Sequence, residues 1–426
     1  MIENARYLST VILDEVLNNG AYSNITLKKY LGSSNLKEND KSLVTEIVYG
    51  TLKYKLSIDN IIFNFVRKVD ERDISTIILR SSIYQLKYLD RIPDYAVLNE
   101  SVELSKYLCK NKSKFINGVL RNYLRNKDDI KLKKNTLQDE YSFATWMIKL
   151  IKKNYPNKYI DIMDKLNKRA ETCYRINSLK ISKSEFINKF KELEVEDLSG
   201  FRNAIRIKNI SNIPSTYLYN CGMLSIQDLS SQLSCEILDP KENDVIIDLC
   251  AAPGGKSSYI AELIRDKGKI ISCDIHNHRL DLIKKSVNRL GIKCVECILN
   301  DATVMNSKFL NLADKVVLDV PCSGIGVINK KPEIKWFKNH SDLEEIISVQ
   351  RKIIETSSLY VKEGGILLYT TCTLNRFENE FLVSEFLERH KEFVIEDIGE
   401  EIFVGLDFEK NSGMLTLFPS DLNMYC

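Results

Sequence analysis

The sequence lacks the features of a membrane or secreted protein. Its 426 residues contain no apolar run that approaches the length of a membrane span, and the first residues, Met-Ile-Glu-Asn-Ala-Arg, show no signal-peptide pattern. The 11 cysteines are odd in number and irregular in spacing, which argues against a disulfide framework. The one close pair, Cys294 and Cys297, has no second Cys or His pair beside it, so we expect no metal site. These absences predict a cytoplasmic protein that binds neither membrane nor metal.

Charged residues are abundant, but they are unevenly distributed along the chain. Residues 1–225 carry 38 basic and 26 acidic side chains, whereas residues 226–426 carry 23 and 32. A basic front part joined to an acidic back part favours contact with a polyanion ahead of a separate ligand-binding domain. The alternative is that the lysines belong to ordinary solvated surfaces. The length by itself predicts two or three domains.

The first 130 residues are poor in proline and are predicted to be helical throughout. Apolar residues recur at helical spacing over 7–17, 43–56, 74–89 and 97–108, and Pro93 is the single proline before residue 126. The segment 111–125 combines a basic face with an apolar stripe, as expected for a helix packed in a bundle. We therefore assign residues 1–130 to an all-α domain.

A polar and charged linker over 126–140 is predicted to lead into a small α+β module, and we assign 131–225 to linker helices and this module together. A strand is indicated over 173–178, a helix over 182–193, and further strands near Ala204 and Ile226. Arg175 in the first strand is a candidate contact to the substrate. Capping of a strand or helix explains this residue equally well.

From residue 226 onward, strands alternate with helices, which predicts a parallel, doubly wound α/β sheet over 226–426 with helices on both faces. Strands are indicated over 245–249, 269–275, 294–299, 315–320 and 365–371. The first strand runs into small residues and then into a helix, an arrangement typical of nucleotide-cofactor sites. This loop comprises Cys250, Ala251, Ala252, Pro253, Gly254, Gly255 and Lys256. The alternative is an ordinary strand–helix turn.

Carboxylates follow four consecutive strands of this predicted sheet. Asp248 ends the first strand, Asp274 the second and Asp319 the fourth, while Asp301 follows the third. Ligands of open α/β sheets bind at the carboxyl ends of the strands, and an acidic residue at the second strand can accept hydrogen bonds from ribose hydroxyls. A single aspartate at such a position often only caps a turn, but four in succession favour a bound cofactor.

Two cysteines fall at the same edge of the sheet. Cys322 follows the fourth strand and Cys372 the fifth, so their thiols are expected to face one cleft beside the cofactor. Isolated cysteines are most often inert core residues. Paired at adjacent strand ends, they favour nucleophilic catalysis by a thiolate.

These motifs carry a resemblance to known families. The first 125 residues resemble the NusB-type RNA-binding helical domain through Asp40-Lys-Ser-Leu-Val-Thr-Glu-Ile-Val-Tyr-Gly, Ala96-Val-Leu-Asn-Glu-Ser-Val-Glu-Leu-Ser and Phe115-Ile-Asn-Gly-Val-Leu-Arg. Asp248-Leu-Cys-Ala-Ala-Pro-Gly-Gly-Lys, Asp319-Val-Pro-Cys-Ser-Gly, Lys331-Pro-Glu-Ile-Lys-Trp and Thr370-Thr-Cys-Thr are similar to motifs of the RNA cytosine-5 methyltransferases. Together the two parts resemble the Sun/RsmB type, which methylates 16S ribosomal RNA.

The resemblance implies S-adenosylmethionine as cofactor, held by the 250–256 loop, Asp274, Asp301 and Asp319. It also implies that Cys372 is the nucleophile, that Cys322 assists breakdown of the covalent adduct, and that Asp319 holds the target cytosine. Lys331 and Lys335 are expected to contact RNA phosphates. The implied partner is 16S rRNA, free or in an early small-subunit particle, and we expect a monomer.

Two alternatives stay open on the sequence. One is the same chemistry on tRNA, and the other is an RNA-binding assembly factor without catalysis. Related chains usually end with one more Gly-Phe-Phe strand, whereas this sequence ends with Asn-Met-Tyr-Cys, so we expect the last strand to be short or missing.

Overall fold

The computed structural model describes residues 4–127, 136–210, 213–399, 408–411 and 413–419. Contacts divide the chain into two compact units, Met1–Lys168 with Val327–Asn339, and Arg169–Gly326 with His340–Cys426. The division differs from the three predicted segments, because the helices between residues 137 and 167 group with the N-terminal unit and not with the α+β module. No helix in the described ranges is long and apolar enough to cross a membrane.

The first unit is all helical, as its apolar periodicity predicts. Two clusters of buried side chains form its core, one centred on Ile12 and Val48 and the other on Ile78 and Leu120. The helices are α1 (Ala5–Asn19), α2 (Ser23–Ser33), α3 (Glu38–Lys53), α4 (Lys55–Phe63), α5 (Ile74–Tyr88), α6 (Asp94–Leu108), α7 (Ser113–Asn126), α8 (Leu137–Tyr141), α9 (Thr145–Asn154) and α10 (Tyr159–Asn167). Part of the predicted linker, residues 128–135, lies outside the described residues.

A small α+β module begins the second unit, in agreement with the sequence pattern. Its strands β1 (Tyr174–Ile176), β2 (Val195–Asp197), β3 (Ala204–Ile207) and β4 (Leu224–Ile226) form an antiparallel sheet in the order β2-β3-β1-β4. Helices α11 (Lys183–Lys189) and α12 (Tyr217–Asn220) connect them. Strand β2 was not predicted from the sequence, since three residues are too few to show a period.

A five-stranded parallel sheet forms the centre of the second unit and confirms the predicted doubly wound arrangement. Its strands are β5 (Val245–Asp248), β6 (Lys269–Asp274), β7 (Val295–Leu299), β8 (Ala313–Asp319) and β9 (Val361–Thr370). Helices α13 (Leu229–Ile237), α14 (Gly255–Leu263) and α15 (Asn277–Leu290) belong to the same unit. Buried apolar clusters pack on the two faces of the sheet.

The strand order β7-β6-β5-β8-β9 fixes where a ligand can bind. From β5 the chain adds β6 and β7 on one side and then returns to place β8 on the other side of β5. Strand order therefore reverses between β5 and β8, and the crevice outside the carboxyl ends at such a point is the usual ligand site of open α/β sheets. The loops after β5 and β8 are the two that begin with Asp248 and Asp319.

The segment Val327–Asn339 leaves the sheet after β8 and belongs to the helical unit. It contains a short helix, α16 (Ile334–Phe337). The Glu333 carboxylate accepts hydrogen bonds from the amide and hydroxyl of Ser23 at 3.1 and 2.8 Å, and the Trp336 indole donates to the Leu52 carbonyl at 2.8 Å. The basic motif around residue 331 is thus part of the packing of the first unit.

The remainder of the second unit comprises α17 (His340–Ser358), α18 (Glu380–Arg389) and a hairpin of β10 (Glu409–Asn411) and β11 (Met414–Thr416). Side chains of this hairpin pack on a cluster formed with the α+β module. The expectation of a short or missing last strand concerns residues 420–426, which lie outside the described residues.

Candidate active site

The loop after β5 turns sharply because it contains glycine where another residue would be strained. Gly254 has a φ of +96°, and a Cβ at this position would lie 3.1 Å from Cγ2 of Ile283. Helix α14 begins at the next residue, and the first amides of a helix have no partner within it. The loop therefore brings closely accessible backbone and the first amides of α14 to the point where strand order reverses.

Asp248 is completely buried under this loop. One carboxylate oxygen accepts a hydrogen bond from the Ser257 hydroxyl at 2.6 Å, and Ser257 in turn accepts one from Ser272 at 2.8 Å. The other oxygen, Oδ1, has no hydrogen-bond partner within the described ranges. Burial raises the pKa of Asp248 to about 7, although the Ser257 hydrogen bond opposes the shift. An unsatisfied buried oxygen is costly unless a ligand provides a donor.

Lys256 and Asp319 form an ion pair at the reversal point. The ammonium nitrogen Nζ of Lys256 lies 2.6 Å from Oδ2 of Asp319, and the Thr370 hydroxyl donates to Oδ1 at 3.2 Å. Lys256 is buried, whereas 42% of the Asp319 side chain is exposed. Burial lowers the pKa of Lys256, but the charge and hydrogen bond of Asp319 outweigh it and raise that pKa overall. The lysine is therefore charged and holds the Asp319 carboxylate in one orientation.

A second pair of contacts joins β6 to the same loop. The Asp274 carboxylate accepts from the His276 amide at 3.1 Å and pairs with the Arg279 guanidinium at 3.2 Å. Arg279 also donates to the Ala252 carbonyl at 3.2 Å, so it connects the strand-end carboxylate with the loop. Arg279 was not predicted from the sequence, because a lone arginine in a helix is usually solvent-exposed.

Asp301 lies beside this group, but its carboxylate is used locally. It accepts hydrogen bonds from the Thr303 amide at 2.9 Å and the Thr303 hydroxyl at 2.7 Å. The preceding amide, of Asn300, donates to the Asp274 carbonyl at 3.2 Å, which keeps the segment next to β6. Since a carboxylate oxygen can accept more than one hydrogen bond, Asp301 retains acceptor capacity for a ligand.

Cys322 and Cys372 lie together, as their positions after β8 and β9 predict. Their sulfur atoms are 3.1 Å apart, and the Cys372 amide donates to the Cys322 sulfur at 3.3 Å. Cys372 is exposed and Cys322 is partly buried. The hydrogen bond with Cys372, burial and the neighbouring charge raise the pKa of Cys322 well above its usual range. The pair therefore retains a proton on Cys322 and presents the Cys372 sulfur to solvent.

Arg175 does not lie where an RNA contact would require. Its guanidinium is 1% exposed and binds the equally buried carboxylate of Glu262 through two hydrogen bonds, at 3.0 and 2.7 Å. It also donates to the Gly255 carbonyl and the Ser258 hydroxyl, at 3.0 and 3.1 Å. The prediction of a substrate contact is therefore corrected, since all three guanidinium nitrogens bind interior groups, in the helix α14 and in the side chain of Gln227.

Lys335 requires the same correction. This side chain is buried in the first unit, where Nζ donates to the Lys53 carbonyl, the Tyr141 carbonyl and the Asn167 side chain at 3.0, 3.3 and 2.6 Å. Three acceptors match the three N–H bonds of an ammonium group. Lys331, four residues earlier, is exposed and stays available for a phosphate.

The strand order and the loop after β5 place the second unit among the methyltransferases with a Rossmann-like sheet. A family model described as "16S rRNA methyltransferase RsmB/F" matches residues 235–425. Models described as "NusB family" and "Methyltr_RsmF/B-like, ferredoxin-like domain" match residues 3–125 and 143–213.

Similarity to whole proteins extends over nearly the full chain. It is 34% identical over 400 residues to "Probable ribosomal RNA small subunit methyltransferase B" of Bacillus subtilis, covering 92% of this chain and 89% of that protein. The identity to the protein of the same description from Synechocystis is 31%, with 98% and 96% covered. The crystal structure of PH0851 superposes with a TM-score of 0.79 at 26% identity, covering 98% and 96% of the two chains.

The chain belongs to the 16S rRNA methyltransferase RsmB/F family. Members of this family are S-adenosylmethionine-dependent rRNA methyltransferases, which confirms the cofactor that the sequence implied. The geometry after β5 fits that cofactor, because it offers a glycine turn, the start of a helix and a buried oxygen of Asp248 that has no partner among the described residues.

Proposed function

We propose that this protein transfers a methyl group from S-adenosylmethionine to C5 of a cytidine in 16S rRNA, through a covalent bond between Cys372 and C6 of the base. The single observation that carries the proposal is the placement of two cysteine sulfurs 3.1 Å apart at the ends of β8 and β9. Methylation at an oxygen or an amine needs no thiol, whereas C5 of cytosine is too weak a nucleophile to react without one. The family assignment supports the rRNA substrate.

The cofactor supplies an electrophilic methyl group when bound. We propose that its carboxylate meets the loop from Cys250 to Lys256 and the start of α14, where unpaired amides favour an anion. Asp274 is positioned to accept hydrogen bonds from ribose hydroxyls, and Asp301 to accept one from the adenine amino group. Asp319 completes the set, since it is paired with Lys256 of the loop and lies three residues before Cys322 in the chain.

Cys372 is the proposed nucleophile because its sulfur is exposed. In the thiolate form it adds to C6, the C5–C6 double bond opens, and C5 becomes enamine-like and can accept a methyl group. Asp319, fixed by Lys256, is placed to accept hydrogen bonds from the exocyclic amine of the cytosine and from N3, which takes up a proton from water as the thiolate adds to C6. The target base must be extruded from any stack to reach this cleft.

Cys322 is the proposed participant in breakdown of the adduct. Its raised pKa makes it a strong base once it has lost its proton. Cys322 first loses its own proton to water. Its thiolate then takes the C5 proton, the electrons of the C5–H bond form the C5–C6 double bond, and the C6–S bond breaks and releases the Cys372 thiolate. The two cysteines thus have different roles although they lie in contact.

Substrate and partner are part of the same proposal. Exposed Lys331 is a candidate for a phosphate contact, and the basic residues before 225 suit the polyanion. We propose that the substrate is 16S rRNA, free or in an early small-subunit particle, and that the enzyme acts as a monomer.

The test is bisulfite mapping of rRNA and tRNA from cells with and without the gene for this protein. One cytidine in 16S rRNA should lose its C5 methyl group in the deletion strain and regain it when the wild-type gene is restored. A missing methyl group in tRNA alone would replace the rRNA substrate with tRNA. No change in either RNA would contradict the proposed chemistry.

A further inference from the structure

The two cysteine-bearing loops are joined by a buried carboxylate that no motif identified. Glu378 lies between β9 and α18, six residues after Cys372, and its side chain is completely buried. One oxygen, Oε2, accepts a hydrogen bond from the Ser323 amide at 2.7 Å. The other, Oε1, accepts from the Ser323 hydroxyl at 2.5 Å. Ser323 is the residue directly after Cys322, so this carboxylate holds the loop after β8.

The same carboxylate also holds the loop after β9. Oε1 accepts from the Asn375 amide group at 3.0 Å and from the Thr373 hydroxyl at 3.4 Å. Thr373 directly follows Cys372, and its hydroxyl lies 2.6 Å from that of Ser323. Glu378 therefore binds the residue that follows each cysteine.

The helix α17 contributes further hydrogen bonds to the same carboxylate. The Gln350 side chain, from α17, donates to Oε2 of Glu378 at 3.1 Å and to the Pro321 carbonyl at 2.9 Å. Pro321 precedes Cys322, so both flanks of that cysteine are fixed. A direct backbone bond, from the Gly326 amide to the Cys372 carbonyl at 3.1 Å, joins the loops at a second point.

The hydrogen-bond partners of the Glu378 carboxylate among the described residues are amides and hydroxyls. A carboxylate, which only accepts, is the side chain that satisfies them. Burial of this carboxylate costs desolvation free energy, which its five hydrogen bonds must offset. An apolar side chain would fill the same space without needing these partners. The cost is explained if the two cysteine sulfurs must be kept at a fixed separation.

We propose that Glu378 is a positioning residue that holds Cys322 and Cys372 in the register needed for formation and breakdown of the covalent adduct. The proposal rests on the proposed function for its catalytic meaning, but the positioning itself does not depend on it. Within the described residues Glu378 is not hydrogen-bonded to either sulfur; it binds Ser323 and Thr373, and its charge contributes to the raised pKa of Cys322. Its effect should therefore fall on the chemical step and not on cofactor binding, which involves the loops after β5, β6 and β7 and the Asp319 carboxylate that Lys256 holds.

The test uses the full-length protein with Glu378→Gln, which keeps the shape but turns one acceptor into a donor that faces other donors. The matched control is Glu388→Gln, an exposed glutamate in the neighbouring helix α18. The single-turnover rate of methyl transfer to 16S rRNA should fall about 100-fold or more in Glu378→Gln, as expected when reacting groups are misplaced by about 1 Å. Affinity for S-adenosylmethionine should stay within about twofold, since the interactions of the other loops are unchanged.

A second readout needs no RNA. Diamide oxidation of the wild-type protein should link Cys322 to Cys372, as detected by peptide mass spectrometry, and Glu378→Gln should slow this reaction at least about tenfold because a disulfide requires close, oriented sulfurs. Ser323→Ala keeps the backbone amide that donates to Glu378, so its rates of cross-linking and methyl transfer should fall less. It replaces Glu378→Gln in both measurements if that variant does not fold. Unchanged cross-linking and methylation in a folded variant would overturn the positioning role. If Glu378→Gln cross-links slowly but the wild-type protein methylates no RNA, the positioning role stands and only the proposed function is overturned.

Discussion

The ammonium group of Lys256 lies 2.6 Å from the carboxylate of Asp319, so the last residue of the cofactor loop is bound to the residue that ends β8. The lysine is buried and the aspartate is partly exposed. The ion pair therefore joins a buried ammonium group to a carboxylate whose side chain is partly exposed. Cofactor loop and proposed base-binding residue cannot move independently.

Replacement of Lys256 by methionine should consequently affect catalysis through Asp319. We expect the single-turnover rate to fall about 100-fold, because an unanchored carboxylate no longer accepts hydrogen bonds from the exocyclic amine and the protonated N3 of the cytosine in the right orientation. The double variant Lys256→Met/Asp319→Asn should be no slower than the slower single variant, since the two residues act as one unit. Lys267→Met, at an exposed lysine, is the control. Fully additive losses would show that Lys256 serves the cofactor separately from Asp319.

Cys372→Ala should abolish methyl transfer and leave cofactor binding largely intact. The sulfur is the group proposed to attack C6, whereas the cofactor is held by the loops after other strands. The measurement is incorporation of labelled methyl groups into 16S rRNA, together with calorimetric titration of S-adenosylmethionine. Normal turnover in this variant would exclude the nucleophile assignment.

Cys322→Ala should instead accumulate a covalent protein–RNA adduct. Cys372 can still attack and the methyl group can still be transferred, but the base proposed to remove the C5 proton is missing. The adduct should appear on a denaturing gel as a slowly migrating band that requires both RNA and cofactor. The double variant with Cys372→Ala should form no such band, and its absence in the single variant would count against the role of Cys322.

The elements that could be predicted from the sequence are those with a strong local signal. The strands from β5 to β9 are apolar runs bounded by turns, and the carboxylates and cysteines that follow them had to meet at one edge because parallel strands share it. The contact between Cys322 and Cys372 follows from that rule, since β8 and β9 are neighbours.

What could not be predicted depends on which charged side chains are buried. Arg175 and Lys335 have the residue types of an RNA contact, and a sequence gives no sign that their partners, Glu262 and the carbonyl of Lys53, lie in the interior. Glu378 was missed for the same reason. Long-range hydrogen bonds between loops have no period and no spacing, so they become visible only in the folded chain.

The corrected role of Arg175 leads to a prediction about stability. Arg175→Met leaves the Glu262 carboxylate buried without its partner, which costs about 3–5 kcal/mol of unfolding free energy. The melting temperature should fall and cofactor affinity should weaken, because the Gly255 carbonyl loses its donor. Affinity for RNA, measured as a function of salt, should keep the same slope, since no phosphate contact is removed. A smaller salt slope with unchanged stability would restore the RNA-contact assignment.

The buried carboxyl of Asp248 makes stability depend on pH in a defined window. Burial raises its pKa to about 7, whereas in the unfolded chain it ionises near pH 4. Between these two pH values the Asp248 carboxyl is protonated in the folded state but ionised in the unfolded chain. The stabilisation from this protonation is therefore complete below about pH 4 and is lost as the pH rises toward 7. Asp248→Asn has no ionisable group at this position, so its stability lacks this dependence on pH.

Melting temperatures are measured without cofactor for Asp248→Asn and for the wild type. The difference, variant minus wild type, should rise between pH 4.5 and 7 and stay constant above pH 7. Asp281→Asn, at an exposed position in α15, should show a difference that does not change over this range. Lys256 and Asp319 also face Asp248, with opposite effects on its pKa, so the midpoint should shift upward in Lys256→Met and downward in Asp319→Asn. A flat difference for Asp248→Asn would show that the carboxyl is ionised in the folded protein throughout, and that its unpartnered oxygen is hydrated.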